Sequence, residues 1–100
     1  MSTRAVYVFK DQHEAFAVYK HHDGYPTGAA EAIENAKAAA WPLPRFEADE
    51  FGASFIAANK RSSGGVCLMA GPDESLLPGD LAFHYIIRHE PGADDVTVEA

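Results

Sequence analysis

Apolar residues dominate two short segments near the start of the chain, at 4–10 and 14–22, and the polar triplet "DQH" separates them. Both segments are rich in Val, Phe and Tyr, which predicts a β-hairpin. Val6 and Val8 share one strand parity, whereas Tyr7 lies on the other. We therefore expect either a sheet that is covered partly on both faces or aromatic side chains that pack at its rim.

The period changes to a helical one in the segment "PTGAAEAIENAKAAAWP". Thr27 is the predicted N-cap, and Pro42 disfavours helical geometry at Trp41, so the helix should end by that residue. One stripe of this predicted helix is apolar: Ala29, Ile33, Ala36 and Ala40.

A second helix is predicted over 46–61, where acids occupy the first turns and Lys60 and Arg61 the last. This is the charge order that a helix dipole favours. "SSGG" should end the helix at a glycine. Its predicted inner stripe, with Ile56 beside it, consists of Ala48, Phe51, Phe55 and Ala58.

Three further strands are predicted at 66–70, 81–89 and 96–100, the last two joined by the turn "EPGADD". Strands and helices are segregated, which indicates a single α+β domain over residues 1–100. We expect an antiparallel or mixed sheet of about five strands, in the order β-β-α-α-β-β-β, with two helices mainly on one face.

Fifteen acidic residues outnumber eight basic ones, which gives a net charge of −7. Lys and Arg are too few and too scattered for direct binding to nucleic acid. An acidic surface instead favours a basic partner, including a protein surface that normally holds nucleic acid. The acidic residues that we expect to bind are Glu47, Asp49, Glu50, Glu90, Asp94 and Asp95.

The expected location is the cytoplasm, and no membrane contact is expected. No apolar stretch approaches the ~20 residues of a membrane span, and the first residues lack the pattern of a secretory signal. The single cysteine, Cys67, lies in the apolar run "GGVCLMAG", where a buried thiol in a reducing compartment is the ordinary expectation.

The segment "KHHDGYPTG" (20–28) is the most distinctive of the chain. Its turn residues each have a structural role: Asp23 can bond backbone amides, Gly24 can adopt positive φ, and Pro26 suits a helix entry. Tyr25 can cover the start of the helix. The turn therefore favours a structural corner over a catalytic site.

A catalytic or metal-binding group has weaker support. Adjacent residues of a strand point to opposite faces, so His21 and His22 cannot bind one ion in regular β geometry, and neither a metal nor a cofactor is expected. Cys67 lacks a nucleophile motif. The alternative is a small metal-dependent hydrolase centred on His21, His22, Asp23 and His84.

Aromatic and histidine side chains offer a second candidate binding surface, if the ends of two strands meet. Its residues are His21, His22, Tyr25, Tyr85 and His89. The competing interpretation is that Phe83, Tyr85 and Ile87 alternate as the core side of a strand.

The chain resembles small, largely uncharacterised proteins of phages and bacterial mobile elements. The resemblance lies in the Asp-Gly-Tyr-Pro turn after an N-terminal hairpin, the helix "FGASFIAANK", and the strand "GDLAFHYII". It implies a non-enzymatic protein that occupies a surface of a host protein machine, by analogy with anti-CRISPR inhibitors. The expected state is a monomer or a homodimer, and a structural homodimer is a further alternative.

Overall fold

The computed structural model describes residues 3–43, 45–60, 65–69 and 83–99. Other parts of the predicted segments, including "SSG" at 62–64 and residues 81–82, lie outside these ranges. The elements are β1 (Ala5–Lys10), β2 (Ala15–Lys20), α1 (Pro26–Ala39), α2 (Ala48–Asn59), β3 (Val66–Leu68), β4 (Phe83–Arg88) and β5 (Thr97–Glu99). This order is the predicted one.

The strands form one mixed sheet in the order β3-β2-β1-β4-β5. β1 pairs with β2 as the predicted antiparallel hairpin and with β4 in parallel, while β3 and β5 add antiparallel edges. The α+β class and the mixed sheet are therefore confirmed. The parallel pair places the carboxyl ends of β1 and β4 at one end of the sheet.

The central strand β1 is buried on both faces, so the first of the two expectations for the aromatics is confirmed and the rim placement is wrong. Ala5, Tyr7 and Phe9 lie on the face that the helices cover, and none of them is exposed. Val6 and Val8 lie on the other face, where they pack with Ala17 and its neighbours.

α2 packs against the sheet through two phenylalanines. The ring of Phe55 lies 4.6 Å from that of Tyr7 and 5.2 Å from that of Phe9, and Phe51 lies 5.7 Å from Phe9. α1 packs against α2 with small side chains. The buried residues of α1 are Ala29, Ala32, Ile33 and Ala36, close to the predicted stripe.

Two local predictions for the helices are wrong. Thr27 is not the N-cap: the N-cap is Tyr25, two residues earlier, and α1 begins at Pro26, whose fixed φ and missing N–H suit the first helical position. Ala58 is exposed. The residue one turn after Phe55 on the inner face is Asn59, so Ala58, the last residue of the predicted stripe, does not lie on that face.

The prediction of a buried cysteine is also wrong, since Cys67 is exposed. It lies on β3, which among the described strands is an edge of the sheet, and the neighbouring Leu68 is 72% exposed. Within the described ranges, neither helix has the length and apolar character to cross a membrane.

We predict that Phe55→Ala lowers the free energy of unfolding by about 3–5 kcal/mol, because it leaves a cavity between α2 and β1. The control is Ala57→Ser on the exposed face of the same helix, which should change the free energy by less than about 0.5 kcal/mol. Urea unfolding measures both, and a loss below about 1 kcal/mol for Phe55→Ala would contradict this packing.

Candidate functional site

The Asp-Gly-Tyr-Pro turn is held against the start of β1. The Gly24 amide donates to the Thr3 carbonyl at 2.8 Å, and the buried Tyr85 hydroxyl donates to the Gly24 carbonyl at 2.6 Å. A Cβ on Gly24 would lie 2.7 Å from both the Cβ of Ala5 and the Thr3 oxygen, so only glycine fits. These contacts support the structural interpretation of the turn.

The residues around Gly24 are equally constrained. The positive φ of the turn lies at Asp23, at 57°, and not at Gly24 as the sequence predicted; such a φ is uncommon for a residue with a side chain. Its carbonyl lies so close to Gly28 that a Cβ there would overlap it. The Tyr25 side chain is 44% exposed, and its hydroxyl lies 3.5 Å from the Asp23 carboxylate.

His21 has a local structural role. Its Nδ1 lies 2.9 Å from the Tyr19 hydroxyl, and its amide donates to the Gly65 carbonyl at 2.8 Å. Partial burial, then the charges of Arg4 and His22, lower the pKa of His21. The His21 amide thereby holds the end of β2 against the start of β3.

A small cleft of about 130 Å³ lies between this turn and the ends of the two helices, and His22 and Asp23 line it. We call it the histidine cleft. Asn59 also lines the cleft, but the Nδ2 atom of Asn59 donates to the carbonyls of Ala32 at 3.0 Å and Phe55 at 2.9 Å. Part of the polar lining therefore joins the helices to each other.

Of the hydrolase alternative, His21, His22 and Asp23 are neighbours, with the two imidazole rings 4.7 Å apart, but His84 does not join them. His84 pairs with Val6 in the β1–β4 register and so lies on the sheet face away from the helices. His22 lines the cleft on the helix side. Across the described part of the chain, no three His, Cys, Asp or Glu side chains are arranged to hold a metal ion.

The predicted aromatic and histidine surface also does not form as one cluster. Tyr85 is 4% exposed, since its ring stacks on Tyr7 at 5.3 Å within the core, so Tyr85 is not an exposed anchor. Tyr85 therefore belongs to the core-facing side of β4, as the competing interpretation of the sequence predicted. His89 follows β4 at the opposite end of the sheet from His22. Of the predicted set, His22 and Tyr25 are exposed, and both line the histidine cleft.

The opposite end of the molecule brings together acidic segments that are far apart in sequence. Asp11, which directly follows β1, accepts the amide of Ala48 at the start of α2 at 2.8 Å. Its other oxygen accepts the amides of His13 and Glu14, each at 2.7 Å. Sequence reasoning missed Asp11, because a cap that reaches 37 residues along the chain leaves no local signal.

A contact between two rings joins the start of α2 to the end of β4 here. Phe46, just before α2, stacks on His89, just after β4, at 5.5 Å. The two predicted acidic groups, one at the start of α2 and one in the β4–β5 turn, therefore lie on one surface. We call it the acidic end; its acidic residues are Asp11, Glu47, Asp49, Glu50, Glu90, Asp94 and Asp95, and Lys10, Lys37, Arg45 and Arg88 lie beside them.

Two open depressions of about 360 and about 370 Å³ cross the acidic end, and Asp11 and His89 line both. The first also includes Phe46 and Glu47. Lys10, Arg88 and Glu90 are among the residues that line the second.

The carboxylates of this end differ in what they bind. Asp95 pairs with Lys37 of α1 at 2.8 Å, which lowers the pKa of Asp95 and raises that of Lys37. Glu50 accepts the Ser54 hydroxyl. Among the described residues, neither Glu90 nor Asp94 forms a side-chain hydrogen bond or ion pair, so their charges are open to a partner.

Tyr85→Phe should lower the free energy of unfolding by about 1–2 kcal/mol, because it leaves the buried Gly24 carbonyl without its donor. Tyr25→Phe is the matched control, since its hydroxyl is exposed, and should cost less than about 0.5 kcal/mol. Equal losses in urea unfolding would show that the Tyr85 hydroxyl does not hold the turn.

Asp11→Ala should lower the free energy of unfolding at pH 7 by about 1–2 kcal/mol through loss of the cap on α2. The amide of Ala48, then those of His13 and Glu14, lower the pKa of Asp11. A carboxylate whose pKa is lower in the folded than in the unfolded protein stabilises the fold at pH values above its unfolded pKa of about 3.9. This stabilisation is lost as the pH falls through the folded pKa. The difference between wild type and variant should therefore shrink below about pH 4, and a difference that is the same at pH 7 and pH 3 would contradict the cap.

Comparisons with protein-family models, curated proteins and solved structures found no match. The resemblance to phage and mobile-element proteins therefore stays an expectation.

Proposed function

We propose that this protein acts by binding, and that its acidic end binds a basic surface of another protein. The observation that carries the proposal is the convergence of the α2 start and the β4–β5 turn, joined by the contact between Phe46 and His89. Carboxylates that are distant in sequence thereby form one charged surface. Complementary charge of this kind steers association and selects partners.

The biological role that we infer is inhibition of a host protein machine in the cytoplasm. A basic surface that normally holds nucleic acid is the partner chemistry that a net charge of −7 fits. The proposed role is non-enzymatic. The acidic end offers charge and shape to a protein partner, and this binding needs no cofactor. A role as an anti-CRISPR-like inhibitor belongs to this proposal and depends on the same surface.

A structural homodimer is a separate proposal with one supporting observation. The exposed Leu68 lies on β3, the edge strand of the sheet as far as the described residues show, and the edge of a sheet can add a strand from another chain. The acidic end lies elsewhere and repels its own copy. Light scattering at two concentrations separates a dimer from a monomer.

The test is a pull-down from host lysate with immobilised protein at about 0.05 M and about 0.5 M salt, between which the Debye length falls severalfold. We expect a basic partner to be held at low salt and released at high salt. Glu90→Lys and Asp94→Lys should each weaken its binding about tenfold, because they place a cation against a basic surface.

The matched control is Glu31→Lys, an exposed residue of α1 that lines the histidine cleft and changes the net charge by the same amount. It should retain the partner. Melting temperatures of the variants should equal that of wild type. A partner that Glu31→Lys loses and Glu90→Lys retains would contradict the proposal, as would the absence of any salt-sensitive partner.

A further inference from the structure

The smaller depression of the acidic end has an aromatic wall. Phe46 and His89 stack with their planes 25° apart, and Phe46 is anchored from below by Phe51 at 5.2 Å. The Nε2 atom of His89 donates to the Ala93 carbonyl at 2.8 Å, which fixes the orientation of the imidazole. The wall is therefore held by packing on one side and by a hydrogen bond on the other.

The charged residues that line this depression are acidic, and Arg45 pairs with one of them, Glu47, beside it. Asp11 and Glu47 line the depression, and no Lys or Arg lies among its described lining residues. Three backbone amides hold the Asp11 carboxylate in its charged form. The depression, at about 360 Å³, far exceeds the ~30 Å³ that one water molecule occupies. It has the size and the charge to take a cationic side chain.

An arginine of the chain already binds an aromatic ring and a carboxylate next to the depression. Arg45, next to Phe46, places its guanidinium 3.4 Å from the centre of the Trp41 ring. Its Nε lies 3.5 Å from the Glu47 carboxylate. One aromatic ring and one carboxylate thus already hold a guanidinium beside the depression. Both partners of the ion pair are exposed, and such pairs are weak, so a second guanidinium can compete for Glu47.

We propose that the depression lined by Phe46, Glu47 and His89 is a docking site for an arginine side chain of the partner. This inference rests on the proposed function and names the chemistry that the partner presents. Arginine fits better than lysine, because a planar guanidinium stacks on a ring face and pairs with a carboxylate at the same time. An ammonium group is strongly hydrated and gains less from the ring.

The experiment compares two blocked, dye-labelled peptides, one of four arginines and one of four lysines, by fluorescence anisotropy at low salt. Their charges are equal, so the acidic end alone would bind them equally. We expect the arginine peptide to bind about threefold tighter or more. Phe46→Leu should remove this preference and leave the affinity for the lysine peptide unchanged.

Tyr25→Leu is the matched control, because it removes an exposed aromatic ring at the opposite end and should keep the preference. His89→Leu tests the same wall if Phe46→Leu does not fold, and it should also remove the preference. Equal binding of both peptides to wild type overturns the arginine site and leaves the proposed function standing. Binding of neither peptide also overturns the site, whereas the proposed function is judged by the pull-down.

Discussion

Burial of β1 on both faces is the constraint on which the rest of the structure depends. From Ala5 to Phe9 the strand has almost no contact with solvent, so its backbone must be paired on both sides and its side chains packed above and below. β2 and β4 supply the pairing, and α2 covers the aromatic face. Both candidate surfaces lie directly at the ends of this strand.

The two ends of β1 are used differently. At its start, Gly24 packs on Thr3 and Ala5, and its amide and carbonyl both form structural hydrogen bonds. At its end, the carboxylate of Asp11 caps α2. The nearby carboxylates of Glu90 and Asp94 form no side-chain hydrogen bond or ion pair among the described residues. The difference explains why the more distinctive sequence segment is the structural one. The surface that we propose for binding is marked by no local sequence motif.

Hydrophobic periodicity predicted the elements well, because each depends on neighbours along the chain. Which strands lie side by side depends on contacts that are distant in sequence, such as the parallel pair of β1 and β4. The grouping of His89 with His22 was wrong for that reason, and so was the expectation that Cys67 is buried on what proves to be an edge strand. Both acidic groups were identified from sequence, but their union at one end requires the Asp11 and Phe46 contacts.

The most direct measurement of the central claim is a map of amide chemical-shift changes in isotope-labelled protein as a basic partner or an arginine peptide is added. We predict that the changes are confined to the acidic end, around Asp11, Phe46 and residues 89–94, and that they vanish at high salt. Changes centred on His22 and Tyr25 instead would place binding at the histidine cleft and would contradict the account.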